Sequence, residues 1–392
     1  MKKLAGTAIM LVAAALIIVT GVLPPYVDAD QNKNLTPGRY EPPVAVREFH
    51  DSLTIMDWHA DTLLWNRDLL AEYERGHVDV PRLQRGNVAL QMFTVVSRAP
   101  KGQNYVSTED KNDLVTPLVI AQRWPTYTWN SAKGRAVYQA KKLDKAVNLS
   151  WRKLRWVRDQ GELRVLLDER ARAISGDYDP PVGALLGMEG AQTLEGDIAN
   201  LDEFYELGYR MIGLTHFFDN EVGGSLHGVE KGGLTDLGRQ FVKRANELGI
   251  IIDISHASEQ TVREVLDLST KPLVMSHGGM KGACDTPRNI PDELMQEVAA
   301  RGGLIAMGFW AGAICDPSAA GIAKMIDYAV DTVGVDHVAL GSDWDGSVAT
   351  MDADNIASIT AALLDLGMSR EDIAKVMGAN SIAFLQRWLP DS

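Results

Sequence analysis

Residues 235–256, TDLGRQFVKRANELGIIIDISH, contain one complete unit of the predicted fold. Thr235–Leu248 carries apolar residues at helical spacing. Ile250–Ser255 is a nearly continuous apolar run, which is typical of a parallel strand buried on both faces. The strand leads directly to a histidine, His256. Because the helix, the strand and the polar strand end recur along the chain, the sequence predicts a parallel α/β architecture.

Seven further apolar runs resemble Ile250–Ser255 and are separated by helical patterns. Eight such units in one chain favour a closed (β/α)8 TIM barrel over an open sheet. The seven runs are Leu53–Trp58, Val88–Val95, Val182–Met188, Met211–Thr215, Leu273–Ser276, Leu304–Phe309 and His337–Ser342. Helices between these later strands are predicted at Glu259–Leu268, Pro291–Arg301 and Ala319–Val333.

One connection, from about Ser97 to Pro181, is much longer than the others and follows the second strand. We expect it to be an enlarged helical insertion, with helices at Leu114–Thr128 and Ala132–Asp159. A loop of this size usually shapes the mouth of a barrel or an oligomer contact. Further helices are predicted after the eighth strand at Asp354–Leu366, Arg370–Met377 and Ser381–Trp388.

The N-terminus has the layout of an export signal. Lys2 and Lys3 precede an uncharged, mostly apolar run from Leu4 to Leu23, and Val27-Asp28-Ala29 offers a cleavage site. The run is also long enough to span a bilayer. Residues 1–29 are therefore predicted to be a signal peptide or an N-terminal membrane anchor, residues 30–43 a linker, and residues 44–392 the catalytic domain. We expect an exported protein, periplasmic or extracellular, with possible membrane association through this segment.

The composition fits one large globular domain. Of 392 residues, 46% are hydrophobic and 23% are charged. The formal net charge of −13 argues against a nucleic-acid partner, because phosphate binding needs a basic surface. The chain has two cysteines, Cys284 and Cys315, which could pair in an exported protein, although their spacing does not show whether they are close.

Polar residues follow the predicted strands at the point where each strand ends. The working face of a TIM barrel lies at the C-terminal ends of its strands. Four of the eight histidines occupy such positions, together with two carboxylates. We interpret this clustering as a catalytic site, because four unrelated structural histidines at one end of one barrel are hard to explain. The six residues are His59, Glu189, His216, His256, His277 and Asp343.

The spacing of these residues predicts a pair of metal ions. His59 and Asp61 point the same way in an extended strand and can bind one ion. His256 and His277 could bind a second ion, and Glu189 could bridge the two. Imidazole and carboxylate ligands favour zinc, although manganese or cobalt could use the same set. Two ions would lower the pKa of a shared water, and the resulting bridging hydroxide could attack an amide or ester carbonyl.

Other residues near the strand ends could act on the substrate. Asp343 is the candidate for proton transfer to the leaving group, with a helix cap or an ion pair as alternatives and Asp345 close by. Asp57 should point deeper into the barrel and support the ligands. His216 could stabilise the oxyanion or simply pack as a structural residue. Arg288 could hold a substrate carboxylate or lie on the surface.

The ordered set of motifs resembles the membrane (renal) dipeptidase family of the amidohydrolase superfamily. The resemblance covers the chain from about Leu53 to the C-terminus, and the set is far more specific than any one motif. The matching segments are His59-x-Asp61, Met188-Glu189-Gly190, Leu214-Thr215-His216, Asp253-Ile254-Ser255-His256, Ser276-His277, Arg288-Asn289 and Gly341-Ser342-Asp343.

The resemblance implies a (β/α)8 barrel with two Zn²⁺ ions. One ion would be bound by His59 and Asp61, the other by His256 and His277, and both by Glu189. It also implies substrate contacts and proton transfer by the remaining residues, His216, Arg288 and Asp343. Members of the family hydrolyse dipeptides with a free C-terminal carboxylate, often accept a D-residue at that end, and are commonly homodimers.

The sequence departs from the family pattern in places. The family often carries a tyrosine after the seventh strand, near the substrate, where this chain has Trp310. The loop after the fourth strand, with Gly223-Gly224-Ser225 and Gly232-Gly233, is also distinctive. Many sibling families bridge their metals with a carbamylated lysine on the fourth strand. That strand end carries His216 and no lysine here, which supports the glutamate-bridged subgroup.

Two alternative functions remain open at this stage. Another binuclear amidohydrolase, acting on lactones, esters or N-acyl amino acids, would use the same metal residues. Arg288 favours the dipeptidase, because a dipeptide carboxylate needs a cation and a lactone does not. A non-enzymatic protein on a decayed barrel is the other alternative, and the presence of all five expected ligands argues against it.

Overall fold

A computed structural model describes residue 7 and residues 17–36, 38–174 and 179–391. Every strand pair within the barrel is parallel. The strands of the described residues are β1 (Lys33–Asn34), β2 (Ile55–Ala60), β3 (Val88–Phe93), β4 (Leu154–Trp156), β5 (Val182–Met188), β6 (Tyr209–Gly213), β7 (Ile251–Asp253), β8 (Val274–Gly278), β9 (Leu304–Met307), β10 (Val338–Leu340) and β11 (Ala349–Thr350).

Eight strands close into a barrel in the order β2-β3-β5-β6-β7-β8-β9-β10, with β10 pairing back to β2. This confirms the predicted (β/α)8 barrel, and each of the eight predicted strands overlaps an observed one. Their nearly continuous apolar runs reflect burial on both faces. β4, which the sequence did not predict, pairs with the first residues of β5.

Helices follow the strands and cover the outside of the barrel. Several begin at a serine or threonine whose side chain accepts the backbone N–H three residues on, as at Thr235, Ser258 and Ser318. The α-helices are α1 (Leu23–Gln31), α2 (Val44–Asp51), α3 (Val80–Arg85), α4 (Val115–Ala121), α5 (Ala132–Leu149), α6 (Gln160–Ile174), α7 (Asn200–Glu206), α8 (Asp236–Leu248), α9 (Glu259–Leu268), α10 (Asp292–Ala300), α11 (Ala311–Ile314), α12 (Ala319–Val333), α13 (Ala357–Asp365), α14 (Arg370–Ala374) and α15 (Asn380–Trp388).

The long insertion after β3 contains both predicted helices, and both are shorter than expected. The helix predicted over Leu114–Thr128 ends at Ala121. The prediction of a helix over Ala132–Asp159 is wrong beyond Leu149. Trp151 and Arg152 both adopt left-handed backbone angles, with φ of 51° and 72°, and so end the helix before β4. The strand β4 is only three residues long, which is too short to give an apolar period in the sequence.

The barrel interior is packed at the end opposite the histidines. Met56, Leu90 and Met211 from three strands lie in one buried cluster with Phe384 and Leu385 of α15. The C-terminal helix therefore closes this end of the barrel. The polar strand ends are left at the other end, where the loops carry the candidate site.

Most of the predicted export segment, residues 1–16 apart from Thr7, lies outside the described residues. In the described part of the chain, no helix is long and apolar enough to cross a bilayer. The stretch predicted as a linker makes specific contacts with the loop that follows β10, where β1 pairs in parallel with β11 in a separate two-stranded sheet. Cys284 and Cys315 form a disulfide, which ties the loop after β8 to the end of α11.

Candidate metal centre

One carboxylate lies at the centre of the predicted site. Glu189 directly follows β5, and its Oε1 atom is 3.0 Å from His256 Nε2, 3.4 Å from His277 Nε2 and 3.7 Å from His59 Nε2. The three histidines come from the ends of β7, β8 and β2, and all four side chains are buried. The structure therefore places three of the five predicted ligands around one oxygen atom of a fourth, Glu189.

Asp61 completes the predicted set on one side. Its Oδ2 atom lies 3.5 Å from His59 Nε2, and its Oδ1 atom accepts a hydrogen bond of 2.7 Å from Thr94 Oγ1. The ligand atoms of His59, Asp61 and Glu189 all lie within 4.8 Å of one another, which is close enough for one ion. This is the grouping that the His-x-Asp spacing predicted.

His216 lies closer to the ligands than the sequence indicated. Its Nε2 atom is 3.1 Å from Glu189 Oε2, and its ligand atom groups with those of Glu189 and His256. Its Nδ1 atom is 3.3 Å from the Arg98 carbonyl oxygen and donates to it. In this tautomer Nε2 is an acceptor, so the predicted oxyanion-stabilising role would require a proton on Nε2.

Ser276 and Asp253 orient the imidazoles. Ser276 Oγ donates to Asp253 Oδ2 at 2.6 Å, and it accepts from His59 Nδ1 at 3.1 Å and from His277 Nδ1 at 2.9 Å. A proton is thereby held on Nδ1 of each ring. The His277 Nε2 atom accepts a 2.8 Å hydrogen bond from His256 Nε2, and the His59 Nε2 atom faces Glu189. Asp253 also accepts two backbone N–H groups, from Ser255 and Ser276, so it acts as a support and not as a ligand.

Two site residues hold strained backbone conformations. His256 and Asp343 have φ angles of 63° and 61°, which residues other than glycine rarely adopt. Such strain is commonly found at functional sites, where the surrounding structure fixes it. Gly341 permits the close approach of its own backbone to β8, since a Cβ there would lie 1.9 Å from the Ser276 carbonyl oxygen.

The buried carboxylates of the cluster favour the binding of cations. Burial and the neighbouring Asp61 raise the pKa of Glu189 well above its usual value. Burial lowers the pKa of His59, but Asp61, Glu189 and Asp343 outweigh it and raise the pKa to about 10. His59 Nε2 and His256 Nδ1 have no hydrogen-bond partner among the described residues. Buried carboxylates facing unpaired imidazole nitrogens are a donor set that fits divalent ions such as zinc.

Metal binding should therefore release protons. Without metal at neutral pH, His59 carries a second ring proton, and Asp343, whose pKa burial raises to about 8, is also protonated. Cations displace these protons, so the apparent metal association constant should rise with pH between about 6 and 8, by up to about tenfold per unit for each proton displaced. Calorimetry in buffers of different ionisation enthalpy measures the release. An affinity that stays constant over this range would contradict the assignment.

Asp343 and Asp345 have separate roles. Asp343 Oδ1 is 3.9 Å from His59 Nε2, and its carboxylate lines the cavity above the cluster. Asp345 instead forms a 2.7 Å ion pair with Arg67, and this guanidinium outweighs burial and keeps the pKa of Asp345 below its usual value. Asp57 accepts hydrogen bonds from Gln91 and Ser342, so it joins neighbouring strands, as the sequence indicated.

A cavity of about 390 Å³ opens above the cluster. Arg288 is buried in its wall, donates from Nη2 to the His277 carbonyl oxygen at 2.9 Å, and lies 5.3 Å from the centre of the Trp310 ring. Its Nε atom has no partner among the described residues, so the guanidinium retains donors for a ligand. Arg288 is therefore not a surface arginine.

The sequence did not indicate three residues that lie in or near the cavity, namely Tyr105, Phe217 and His227. Tyr105, from the insertion after β3, accepts a 2.9 Å hydrogen bond from Trp310 Nε1 and stacks on Phe217 at 5.7 Å. His227 packs 5.1 Å from His256, and burial lowers its pKa to about 3. All three lie in loops, so no periodic pattern of apolar residues indicated that they would reach the site.

The chain matches known proteins over most of its length. Residues 44–387 match the family model described as membrane dipeptidase, peptidase family M19. The dipeptidase tcpJ of Claviceps purpurea is 28% identical over 79% of this chain and 69% of its own length. The dipeptidase aclJ of Aspergillus oryzae is 33% identical over 52% of this chain, and the match spans about half of that protein (51%).

Two solved structures share the fold. The probable dipeptidase PvdM of Pseudomonas aeruginosa superposes with a TM-score of 0.70 at 21% identity, covering 87% of this chain and 97% of that one. A metallo peptidase of Rhodobacter sphaeroides gives 0.68 at 24% identity, covering 86% and 99%. The family match and the converging residues lead to one conclusion: the chain belongs to the membrane dipeptidase family, peptidase family M19, and is a hydrolase of the metallo-dipeptidase class.

Proposed function

We propose that this protein hydrolyses the peptide bond of dipeptides, both L-L and L-D, with two zinc ions. The position of Glu189 carries the proposal, because one of its oxygen atoms faces His59, His256 and His277 at 3.0–3.7 Å. Under this proposal His59 and Asp61 hold one ion, His256 and His277 the other, and Glu189 both. Nitrogen and oxygen ligands without a thiolate favour zinc.

Bound ions would supply a nucleophilic water at neutral pH and polarise the scissile carbonyl. Asp343 lies beside the ligands and in the cavity wall, so its carboxylate can take a proton from the attacking water and pass it to the leaving amine. His216 faces the same cavity and serves as a substrate contact. The buried surroundings exclude bulk water and strengthen these interactions.

Arg288 is proposed to bind the C-terminal carboxylate of the substrate. Its guanidinium is fixed by the His277 carbonyl oxygen and stacks near Trp310, so it is held in one orientation in the cavity wall. A fixed guanidinium can bind a carboxylate through two parallel hydrogen bonds. The cavity of about 390 Å³ suits a small substrate such as a dipeptide.

Replacing Arg288 with alanine should therefore raise KM for dipeptides about 10- to 100-fold, the range expected for lost hydrogen bonds between charged groups. KM for the matching dipeptide amides or methyl esters should change much less, since these lack the carboxylate. Steady-state kinetics on both series measures the difference. Arg263→Ala, at a half-exposed arginine paired with Glu297, is the control and should leave both unchanged. Equal losses on both series would argue against the carboxylate role.

A substrate panel tests the proposed function as a whole. It contains L-L and L-D dipeptides, including L-Ala-D-Ala, because the Rhodobacter sphaeroides structure is liganded with a phosphinate mimic of that dipeptide. Lactones, simple esters and N-acyl amino acids represent the alternative amidohydrolase. We expect hydrolysis of the dipeptides only, lost with chelator and restored by zinc. Preferential turnover of a lactone or N-acyl amino acid would favour the alternative.

We further propose that the protein is exported, acts in the periplasm or outside the cell, and forms a homodimer. The basic Lys2 and Lys3 followed by the apolar run from Leu4 support export. The homodimer is proposed from the family resemblance. Neither the location of the enzyme nor its oligomeric state changes the assignment of the metal residues.

A further inference from the structure

The loop that carries Asp343 holds three residues in a rare backbone conformation. Asp343, Asp345 and Ser347 have φ angles of 61°, 64° and 62°, and none of them is glycine. Left-handed angles of this kind cost free energy at each position and persist only when surrounding contacts hold them. The contacts of Asp345 and Ser347 therefore stabilise the loop that carries Asp343.

Asp345 is connected to the N-terminal segment through a buried arginine. Arg67 Nη2 forms a 2.7 Å ion pair with Asp345 Oδ2, and Arg67 Nε lies 3.1 Å from Asp28 Oδ2. Arg75 Nε also donates to Asp28 at 2.9 Å. The side chains of Asp28, Arg67 and Asp345 are each no more than 2% exposed. A pair of ions this deeply buried is poorly screened by solvent, so each charge depends on its partner.

Ser347 is held by the same segment. Its backbone N–H donates to Asn32 Oδ1 at 3.0 Å, and Asn32 Nδ2 in turn donates to Asp28 Oδ1 at 2.9 Å. Just beyond, β1 pairs with β11, and the Leu35 N–H donates to the Thr350 carbonyl oxygen at 2.8 Å. The segment 28–35 thus contacts the loop directly at Ser347, is connected to Asp345 through Arg67, and pairs with the strand that follows.

We propose that Asp28 and Asn32 are positioning residues for Asp343, and that the working enzyme retains Asp28 because it is not cleaved after Ala29. Cleavage there would remove Asp28 and leave Arg67 with one fewer buried partner. Asn32 would remain, but without the Asp28 carboxylate that orients its amide. This inference rests on the proposed role of Asp343 in proton transfer.

A double-mutant cycle separates positioning from general stability. Asp28→Asn should lower kcat for a dipeptide about 10- to 100-fold, with KM and bound metal nearly unchanged, because a small misplacement of a catalytic group has effects of this size. In the Asp343→Asn background the same substitution should cost nothing further. Losses that multiply, or an Asp28→Asn enzyme with wild-type kcat, would overturn the inference. Full activity of Asp343→Asn alone would instead refute the proposed role of Asp343 in proton transfer, on which the inference rests.

Two further variants keep the test decisive. Asn32→Ala removes the Ser347 contact without changing the buried charges, and it should lower kcat in the same non-additive way. It replaces Asp28→Asn in the test if that variant does not fold. Asp30→Asn is the matched control, because its half-exposed carboxylate contacts only the exposed Lys33 and Gln31 side chains among the described residues. It should behave as wild type, and an equal loss of kcat there would contradict positioning by Asp28.

The mature N-terminus gives an independent test. The full-length chain is expressed in a host that exports it, and the intact mass of the purified active protein is measured. The inference predicts a protein that begins upstream of Asp28. A protein that begins at Asp30 and has the kcat of the uncleaved chain would overturn it.

Discussion

Replacing Glu189 with glutamine is expected to lower kcat/KM for dipeptides by at least about 10³-fold, which corresponds to about 4 kcal/mol of transition-state stabilisation. Glu189 Oε1 faces three imidazoles at 3.0–3.7 Å, and Oε2 faces a fourth, His216, at 3.1 Å. Glutamine keeps the shape but removes the negative charge and one of the two acceptor oxygens. A neutral amide cannot bridge two cations, so bound metal should fall together with activity.

The measurement combines steady-state kinetics with elemental analysis of the same sample. Glu206→Gln, at an exposed glutamate that ends α7, is the control and should keep both activity and metal. A Glu189→Gln enzyme that retains wild-type activity would show that the carboxylate does not bridge.

The substitution Asp343→Asn should affect turnover and leave metal binding largely intact. The Asp343 carboxylate lies 3.9 Å from His59 Nε2 and lines the cavity, so it can accept a proton from the attacking water and donate it to the leaving amine. Asparagine can do neither. General acid–base catalysis contributes about 10²- to 10⁴-fold, and kcat should fall by that factor with little change in KM.

Single-turnover and steady-state rates on one L-L and one L-D dipeptide measure this loss. Asp267→Asn, at a carboxylate that is 83% exposed, is the matched control. If the Asp343→Asn enzyme keeps its kcat, another group moves the proton. If it loses its metal instead, Asp343 belongs to the ligand set.

The barrel and the convergence of the candidate ligands could be predicted because each leaves a local mark in the sequence. Strands such as Val182–Met188 are buried on both faces and are therefore nearly continuous apolar runs. The pair His59 and Asp61 is separated by one residue, which places both side chains on one side of a strand. Strand-end positions then predicted that distant residues would meet, and the structure places Glu189 among the histidines.

Features that depend on tertiary contact could not be predicted in this way. Tyr105 and His227 reach the site from loops, whose course is set by packing and not by a periodic pattern. Ser276 orients two histidines, yet a serine beside a histidine is too common to indicate this role. The buried Asp28 lies in a stretch that resembles an export signal, so its ion pair with Arg67 was not foreseen.

The number and position of bound divalent ions test the proposed binuclear centre. Protein purified with added zinc would be analysed for metal content and crystallised for anomalous diffraction at the zinc edge. We predict two zinc ions per chain, one beside His59 and Asp61 and one beside His256 and His277, with Glu189 contacting both. A content well below two per chain, or ions bound away from Glu189, would contradict the proposed binuclear centre.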